Sequence, residues 1–212
     1  NAGVNVEAKD GNDATALIWA AAGGYTAIVR MLINADAKVD AADKNGSTAL
    51  ILAADRGHTD VVRMLIDKGA NVDAKGNGGW TALIAAAEKG HTAIVKLLLA
   101  APGIDVNAKD EDGKTALIVA QLGKGDKDVV RMLINAGANV DAKAGNGATA
   151  LIVAAGKGDK DVVEMLINAG VNVEAKDGND ATALILAADR GHKDIVRMLI
   201  DKGANVDAKA GN

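Results

Sequence analysis

Cysteine and phenylalanine are absent from the sequence, and the aromatic residues amount to one tyrosine and two tryptophans. Without cysteine the chain has no disulfides and no thiolate-bound metals, so we expect an intracellular, cytoplasmic protein. Few aromatic rings and no basic block leave nothing on which nucleic-acid bases or phosphates would bind. No apolar run approaches the roughly 18 residues that a membrane-spanning helix needs. We therefore expect neither a nucleic acid nor a membrane as partner.

Small and aliphatic residues dominate instead: 49% of the sequence is hydrophobic, and glycine fills 25 of its 212 positions. This apolar share argues against a disordered chain, and its Ala, Val, Leu and Ile suit thin layers of side chains. Acidic and basic residues are interleaved, and the formal net charge is only -4. The composition therefore favours a folded protein without a wide globular core.

One tetrapeptide, Thr-Ala-Leu-Ile, recurs along the whole chain. It begins at Thr15 and returns at Thr48, Thr81, Thr115, Thr149 and Thr182, in steps of 33, 33, 34, 34 and 33 residues. A fixed period in this range predicts an array of stacked structural repeats. We place the repeats approximately at 10–42, 43–75, 76–109, 110–143, 144–176 and 177–209. Together they form a single predicted domain over residues 1–212.

The second repeat shows the internal pattern most clearly. Residues 43–46 predict a turn, and Thr48 is placed to cap the helix that follows with its hydroxyl group. Gly57 is placed to end that helix, and a second helix with an apolar face begins at Thr59. Helices of about nine residues lie below the roughly 12–15 residues needed for marginal stability alone, so neighbouring repeats must stabilise one another.

The pattern resembles the ankyrin repeat: a turn, a Thr-Pro-Leu-His helix, a glycine, and a second helix ending in Leu-Leu-x-x-Gly-Ala. The resemblance covers essentially the whole chain and implies an all-α solenoid of helix-turn-helix units joined by β-turn or hairpin loops. In the first repeat it places helices at about 17–24 and 27–34, with boundaries uncertain by 2–4 residues. Throughout, Thr-Ala-Leu-Ile stands where the family has Thr-Pro-Leu-His.

Several features depart from a uniform array. One extra residue lengthens the third repeat near 100–104 and another lengthens the fourth near 121–123. Asp13 and Asp180 stand where the other repeats have a turn glycine, although positive φ suits aspartate less well. Residues 1–18 are identical to 168–185, which indicates a recent duplication or an engineered chain.

Motifs that suggest chemistry have simpler structural interpretations. His58, His91 and His192 occupy one repeat position, after the inter-helix glycine, where the family commonly uses histidine to fix the turn. Residues 110–113 lack the ligand spacing of a calcium loop, and 123–127 lack that of a phosphate-binding loop. No nucleophile is placed beside a base. We therefore expect no enzyme activity, no cofactor and no metal; whether Asn107, in a sequence context resembling sites of asparaginyl hydroxylation, is modified stays open.

By position, the resemblance implies that turn tips and the exposed ends of first helices line a concave binding face. The candidate tip residues are Lys44, Asn45, Ser47, Asn77, Trp80, Glu111, Asp112 and Lys114. The candidates within or at the end of first helices are Trp19, Asp55, Arg56, Glu88, Lys89, Lys124, Lys157, Asp189 and Arg190. For Trp80, packing on the neighbouring turn and partner binding are equally open interpretations.

The sequence therefore predicts a non-enzymatic scaffold that binds a protein through this face. The alternative is an engineered or consensus-like repeat scaffold with no selected partner, which the near-uniform tips 11–12, 145–146 and 178–179 favour. The terminal helix pairs carry ordinary repeat residues, including Ile28 and Val29 at one end and Ile195 and Ile200 at the other. Because these faces resemble internal interfaces, we also expect end-to-end self-association of the chain.

Overall fold

A computed structural model describes residues 5–123 and 126–211. Within these ranges the chain forms twelve α-helices and no extended strand, with isolated bridges such as that between Lys9 and Thr15. The helices, in chain order, are α1 Ala16–Ala22, α2 Thr26–Asn34, α3 Ala49–Arg56, α4 Thr59–Asp67, α5 Ala82–Lys89, α6 Thr92–Leu99, α7 Ala116–Leu122, α8 Lys127–Asn135, α9 Ala150–Lys157, α10 Lys160–Asn168, α11 Ala183–Asp189 and α12 Lys193–Asp201. The all-α repeat architecture is confirmed.

Threonine caps begin most of the first helices. The Oγ1 atom of Thr48 accepts a hydrogen bond from the backbone N–H of Ile51 at 3.3 Å, as expected. Four equivalent threonines make the same bond at 3.3–3.4 Å, namely Thr15, Thr81, Thr149 and Thr182. Thr115 is the exception, because its Oγ1 is buried and has no hydrogen-bond partner within the described structure.

The inter-helix glycines adopt the left-handed conformation that ends a helix. Gly57 ends α3 with φ 83°, and Gly158 ends α9 with φ 80°. Gly125, the equivalent in the fourth repeat, lies outside the described residues. In that repeat α7 ends instead at Gly123, with φ -78° and ψ -134°.

Each repeat begins with a five-residue turn, here called a tip. The six tips are 10–14, 43–47, 76–80, 110–114, 144–148 and 177–181, and in each the first backbone N–H donates to the carbonyl of the fifth residue. Asp13 and Asp180, at the fourth tip position, have φ of 60° and 58°. Aspartate thus occupies the left-handed conformation that glycine supplies in the other tips.

The core lies between successive helix pairs. The first helices stack on one another, and each buries a leucine and an adjacent apolar side chain, such as Leu50 and Ile51 in α3. The second helices bury one face, which in α4 consists of Val61, Val62 and Leu65. Full burial of such a side chain stabilises the fold by about 1.5–3 kcal/mol. Stacking of the repeats therefore supplies the stability that such short helices lack on their own.

Candidate partner-binding face

The predicted binding residues lie on the tips and on the first helices, and we call the surface that these elements form the tip face. Within the described structure every one of these side chains is exposed or partly exposed. Lys124 is outside the described residues. The tip face is therefore open to solvent along its length.

A groove of about 490 Å³ opens on this face between the second and third repeats. Four predicted residues line it: Ser47, Asp55, Asn77 and Trp80. Its remaining lining residues are apolar or small, namely Ile51, Leu52, Gly78 and Ala85. Polar edges and an apolar floor are typical of sites that bind a side chain of a partner.

The groove opens where the third tip departs from the regular tip structure. Elsewhere successive tips are joined by a backbone hydrogen bond, for example from Lys44 N–H to the carbonyl of Asn12 at 2.9 Å. Among the described residues no such bond joins the second tip to the third. The third tip has two successive residues at positive φ, Gly78 at 67° and Gly79 at 75°. Glycine at both positions permits a turn in which a residue with a side chain would have a strained backbone.

The third tip, like the fifth, which begins with Ala144, also lacks the carboxylate that anchors the other four tips. In the second tip, Asp43 Oδ1 accepts from the backbone N–H groups of Asn45 and Ser47 at 2.9 and 2.8 Å. Gly76 takes the place of that aspartate in the third tip. Ala85 then stands in the groove where α3 has the larger Leu52. Glycines and a small side chain together account for the open space.

Trp80 packs as one of its two interpretations predicts, and it also lies at a surface groove. The side chain is partly buried and packs against the hydrophobic core, yet it also lines the groove. A Cβ atom built on Gly78 would lie 3.4 Å from Trp80 Cδ1, so the indole covers the turn of its own tip. Packing therefore holds the ring in place while part of it stays accessible.

Trp19 lies on the tip face but outside the groove. Its side chain is 53% exposed, and its Nε1–H donates to Asp10 Oδ2 at 2.9 Å. This hydrogen bond, together with the backbone N–H of Asn12, lowers the pKa of the Asp10 carboxyl group. The indole is thus fixed over the first tip by a side-chain bond.

Several basic residues at the ends of first helices make hydrogen bonds to the preceding repeat. Arg56 Nη1 donates to the carbonyl oxygen of Ala22 at 3.0 Å, in the preceding repeat. Arg190 makes the equivalent bond to Gly156 at 2.7 Å, and Lys157 Nζ donates to Leu122 at 3.0 Å. These side chains satisfy carbonyl groups at helix C-termini, so their replacement affects stability as well as any binding.

Two small charge clusters lie on the tip face. Lys89 Nζ is 2.8 Å from Glu88 Oε2 and 3.9 Å from Asp55 Oδ1, and its contact with Glu88 raises the pKa of Lys89. In the fourth tip, Lys114 Nζ lies 2.6 Å from Asp112 Oδ2, which raises the pKa of Lys114. The second cluster, with the neighbouring Glu111, is outside the groove lining.

The histidines have a structural role that fits the family position. Nε2 of His58 is 3.0 Å from the carbonyl oxygen of Ala22, and Nε2 of His91 is 3.0 Å from that of Asp55. His192 lies 3.3 Å from the carbonyl oxygen of Gly156. Because a carbonyl only accepts, Nε2 is the protonated nitrogen in each ring. In the described parts of the chain, no three His, Asp or Glu side chains converge as a metal site would require.

Comparison with known proteins agrees with this geometry. The family model described as ankyrin repeats (3 copies) matches residues 2–76, 75–144 and 124–210. The chain belongs to the ankyrin repeat family. It is also similar to the crystal structure of the ankyrin repeat domain of Bcl-3, described as a unique member of the IkappaB protein family. That similarity has 31% identity and a TM-score of 0.84, over 95% of this chain and 91% of the other. No curated protein sequence matches the chain.

Ankyrin repeats are generally non-enzymatic modules for protein–protein interaction. In this ankyrin array the isoleucine that replaces the family histidine contributes to the groove, because Ile51 lines its floor. The sequence predicts the residues at the groove edges but not those of its floor, Ile51, Leu52 and Ala85. The signal was present: Ala85 is the smallest residue in a row otherwise held by Trp19, Leu52, Val119, Val153 and Leu186.

Other concave regions occur away from the tip face of the ankyrin array. A groove of about 400 Å³ lies between α2 and α4, where Ile33 and Met64 are flanked by Arg30, Asp60 and Arg63. No helix in 5–123 or 126–211 is long and apolar enough to cross a membrane.

Asn107, whose modification the sequence left open, is exposed, and its Oδ1 accepts a hydrogen bond from the backbone N–H of Asn139 at 2.7 Å.

Proposed function

We propose that this ankyrin array is a protein-binding scaffold whose partner docks on the tip face, the concave side of the solenoid. The observation that carries the proposal is the groove beside Trp80, which combines an apolar floor with polar edges. Tryptophan is among the residue types most enriched at interface hot spots. Because Trp80 is already packed against the core, binding there requires little ordering of the free protein.

The groove between α2 and α4 offers the rival surface. Its rim carries Arg30, Asp60, Arg63, Asp67 and Lys68, so a partner would have to desolvate several charges of both signs. The groove on the tip face carries one acidic side chain and an indole ring. Desolvating fewer charges favours the tip face.

Photocross-linking locates the interface even when the partner has not been identified. A benzophenone amino acid replaces Asn45 or Asn77 on the tips, or Arg63 or Lys96 on the second helices. We expect cross-linked protein adducts at Asn45 and Asn77, with little at Arg63 and Lys96. Adducts mainly at the second-helix positions would place the interface on the other side. No adduct at any position would favour the scaffold without a selected partner.

With a purified partner, the double variant Trp80→Ala with Arg56→Ala should weaken binding by more than about 1 kcal/mol. Arg190→Ala is the matched control, because Arg190 makes the same internal bond as Arg56 but lies four repeats away. Arg63→Ala and Lys96→Ala should leave the affinity for the partner nearly unchanged.

As the sequence predicts, we also propose that this scaffold has no enzyme activity and is located in the cytoplasm.

Exposed apolar residues at the two ends of the array favour a second kind of contact, head-to-tail association of this chain. Ile28 is 48% exposed, whereas its equivalents Val61 and Ile94 in the next two repeats are buried. At the other end Val206 is 64% exposed, while its equivalent Val72 is 8% exposed. Each end thus presents the surface that an internal repeat buries on its neighbour.

Sedimentation velocity of the 212-residue polypeptide over a wide concentration range tests this association. We expect the mean sedimentation coefficient to rise with concentration, because a head-to-tail contact extends without closing. Ile28→Lys should suppress the rise, since it adds a charge to one of the two faces. A single monomeric species at every concentration would exclude the contact.

A further inference from the structure

The groove beside Trp80 has an incompletely neutralised carboxylate at its edge. Among the described residues that line it, Asp55 alone carries a charge. Its nearest cation, Lys89 Nζ, is 3.9 Å away and lies closer, at 2.8 Å, to Glu88. The side chain of Asp55 is 39% exposed, so a further cation can approach it from solvent.

The remaining walls of the groove restrict the shape of what can bind. Leu52 and Ala85 give an apolar floor, and the indole of Trp80 forms one side. An occupant that matches all of these features has a slender apolar stem and a flat cationic head. Arginine has both, because its guanidinium pairs with carboxylates in two-point geometry and stacks on aromatic faces.

We propose that the groove binds an arginine side chain of the partner protein. The arginine stem lies on Leu52 and Ala85, and the guanidinium pairs with Asp55 beside the Trp80 ring. Lysine fits less well, because its ammonium group is neither planar nor able to form a paired hydrogen bond. This assignment rests on the proposed function, since it names the chemistry of a partner on the tip face.

The chain supplies its own control for this assignment. The sixth repeat has the same Ala-Asp-Arg sequence at Asp189 and Arg190 that the second repeat has at Asp55 and Arg56. Arg190 and Arg56 make equivalent bonds to the preceding repeat. The two tryptophans of the 212-residue polypeptide, Trp19 and Trp80, lie in the first and third repeats and not in the sixth. Asp189 therefore matches Asp55 in its sequence context but has no tryptophan beside it.

The test titrates the protein with the peptide acetyl-Gly-Arg-Gly-amide and follows the indole N–H signals by NMR. The same peptide with citrulline, which keeps the shape without the charge, and with lysine serve as comparisons. The Trp80 signal is assigned with the variant Trp19→Phe. We expect the arginine peptide to shift Trp80 and to bind roughly two- to fivefold more tightly than the citrulline peptide.

Two variants then test the named contacts. Asp55→Asn should remove the preference for arginine over citrulline, whereas Asp189→Asn should retain it. Ala85→Leu should abolish the Trp80 shift by filling the floor with a side chain that occupies the same row position at Leu52 and Leu186. Thermal unfolding of each variant shows whether the fold is retained, and Asp55→Asn decides the assignment if Ala85→Leu unfolds.

An unmoved Trp80 signal, or equal shifts with arginine and citrulline, would overturn the assignment. An equal loss with Asp189→Asn would also overturn it. If cross-links form at Asn45 and Asn77 but the arginine peptide does not shift the Trp80 signal, the tip-face interface is kept. The proposal that the groove binds arginine is then rejected. Cross-links at Arg63 and Lys96 would reject the tip-face interface whatever the peptides show.

Discussion

The second and fourth repeats close the same junction in two different ways. In the second repeat, Arg56 Nη1 and His58 Nε2 both donate to the carbonyl oxygen of Ala22 at 3.0 Å. In the fourth, Gly123 lies directly against the preceding repeat, since a Cβ there would be 2.0 Å from the carbonyl oxygen of Glu88. Side-chain hydrogen bonds close one junction and backbone packing closes the other, so the two tolerate different substitutions.

The two repeats also differ within the first helix. Ala54 in the second repeat is fully buried, and the fourth repeat has Gln121 at that position, 1% exposed. Its Nε2 atom has no hydrogen-bond partner among the described residues, and neither has Thr115 Oγ1 at the start of the same helix. Buried polar groups without partners destabilise a fold by about 1–3 kcal/mol each. We therefore expect the irregular repeat to be the less stable of the two.

The largest effect should come from Gly123→Ala. The new methyl group would overlap the Glu88 carbonyl, and relief of that overlap requires the two backbones to separate, so we expect a loss of about 3 kcal/mol in the free energy of unfolding. Gly11→Ala is the control, because a Cβ there meets nothing within 4 Å. Urea unfolding measures both, and equal stability of the two variants would contradict the close packing at Gly123.

A matched pair of threonine variants tests the start of the first helix. Thr48→Val removes the bond to Ile51 N–H and should lower the free energy of unfolding by about 1 kcal/mol. Thr115→Val removes a buried hydroxyl group that has no partner among the described residues, so it should leave the stability unchanged or raise it. Equal losses in the two variants would show that Thr115 forms a cap in solution.

His58→Ala should have a smaller effect on the junction of the second repeat. Arg56 still satisfies the carbonyl of Ala22, so we expect the lost hydrogen bond to lower the free energy of unfolding by only about 0.5 kcal/mol. Addition of EDTA should leave the melting curves of the unmodified protein and the variant unchanged. A lower melting temperature of the unmodified protein in EDTA would mean that its histidines bind a metal.

The smallest effect concerns an ion pair that the fourth repeat has and the second lacks. Lys127 pairs with Asp161 of the fifth repeat, which lowers the pKa of Asp161, whereas Thr59 takes the lysine position in the second repeat. The pair stabilises the fold above the ordinary Asp pKa of 3.8, and this stabilisation is lost as the pH falls through the lowered value.

Lys127→Thr should return the pKa of Asp161 towards 3.8, as measured by NMR titration of the carboxyl carbon. The melting temperature should change little, and the change should disappear at high salt, because both side chains are about half exposed. An unaltered Asp161 titration in the variant would show that the pair is absent in solution.

The regular parts of the array can be predicted from the sequence. The repeat period, the helix caps and the apolar helix faces each depend on residues within one repeat or in the next one. The helices expected at 17–24 and 27–34 lie at Ala16–Ala22 and Thr26–Asn34. The groove depends on how tips of adjacent repeats meet, which residue types alone do not specify. Trp80 is recognisable as a candidate from the sequence, but only the structure shows that no backbone hydrogen bond joins the second and third tips among the described residues.

The contacts between histidine and glycine across repeats make the units exchangeable. A Cβ on Gly24 would lie 2.5 Å from the ring of His58, and one on Gly158 would lie 2.6 Å from the ring of His192. Each ring thus fills the space that glycine leaves in the repeat before it. A unit carrying this histidine can follow any unit whose first helix ends in such a glycine, so duplication and reordering of whole repeats preserve the junction. The fourth unit meets its predecessor through Gly123 and the backbone of Glu88 instead, so it does not use this histidine–glycine contact.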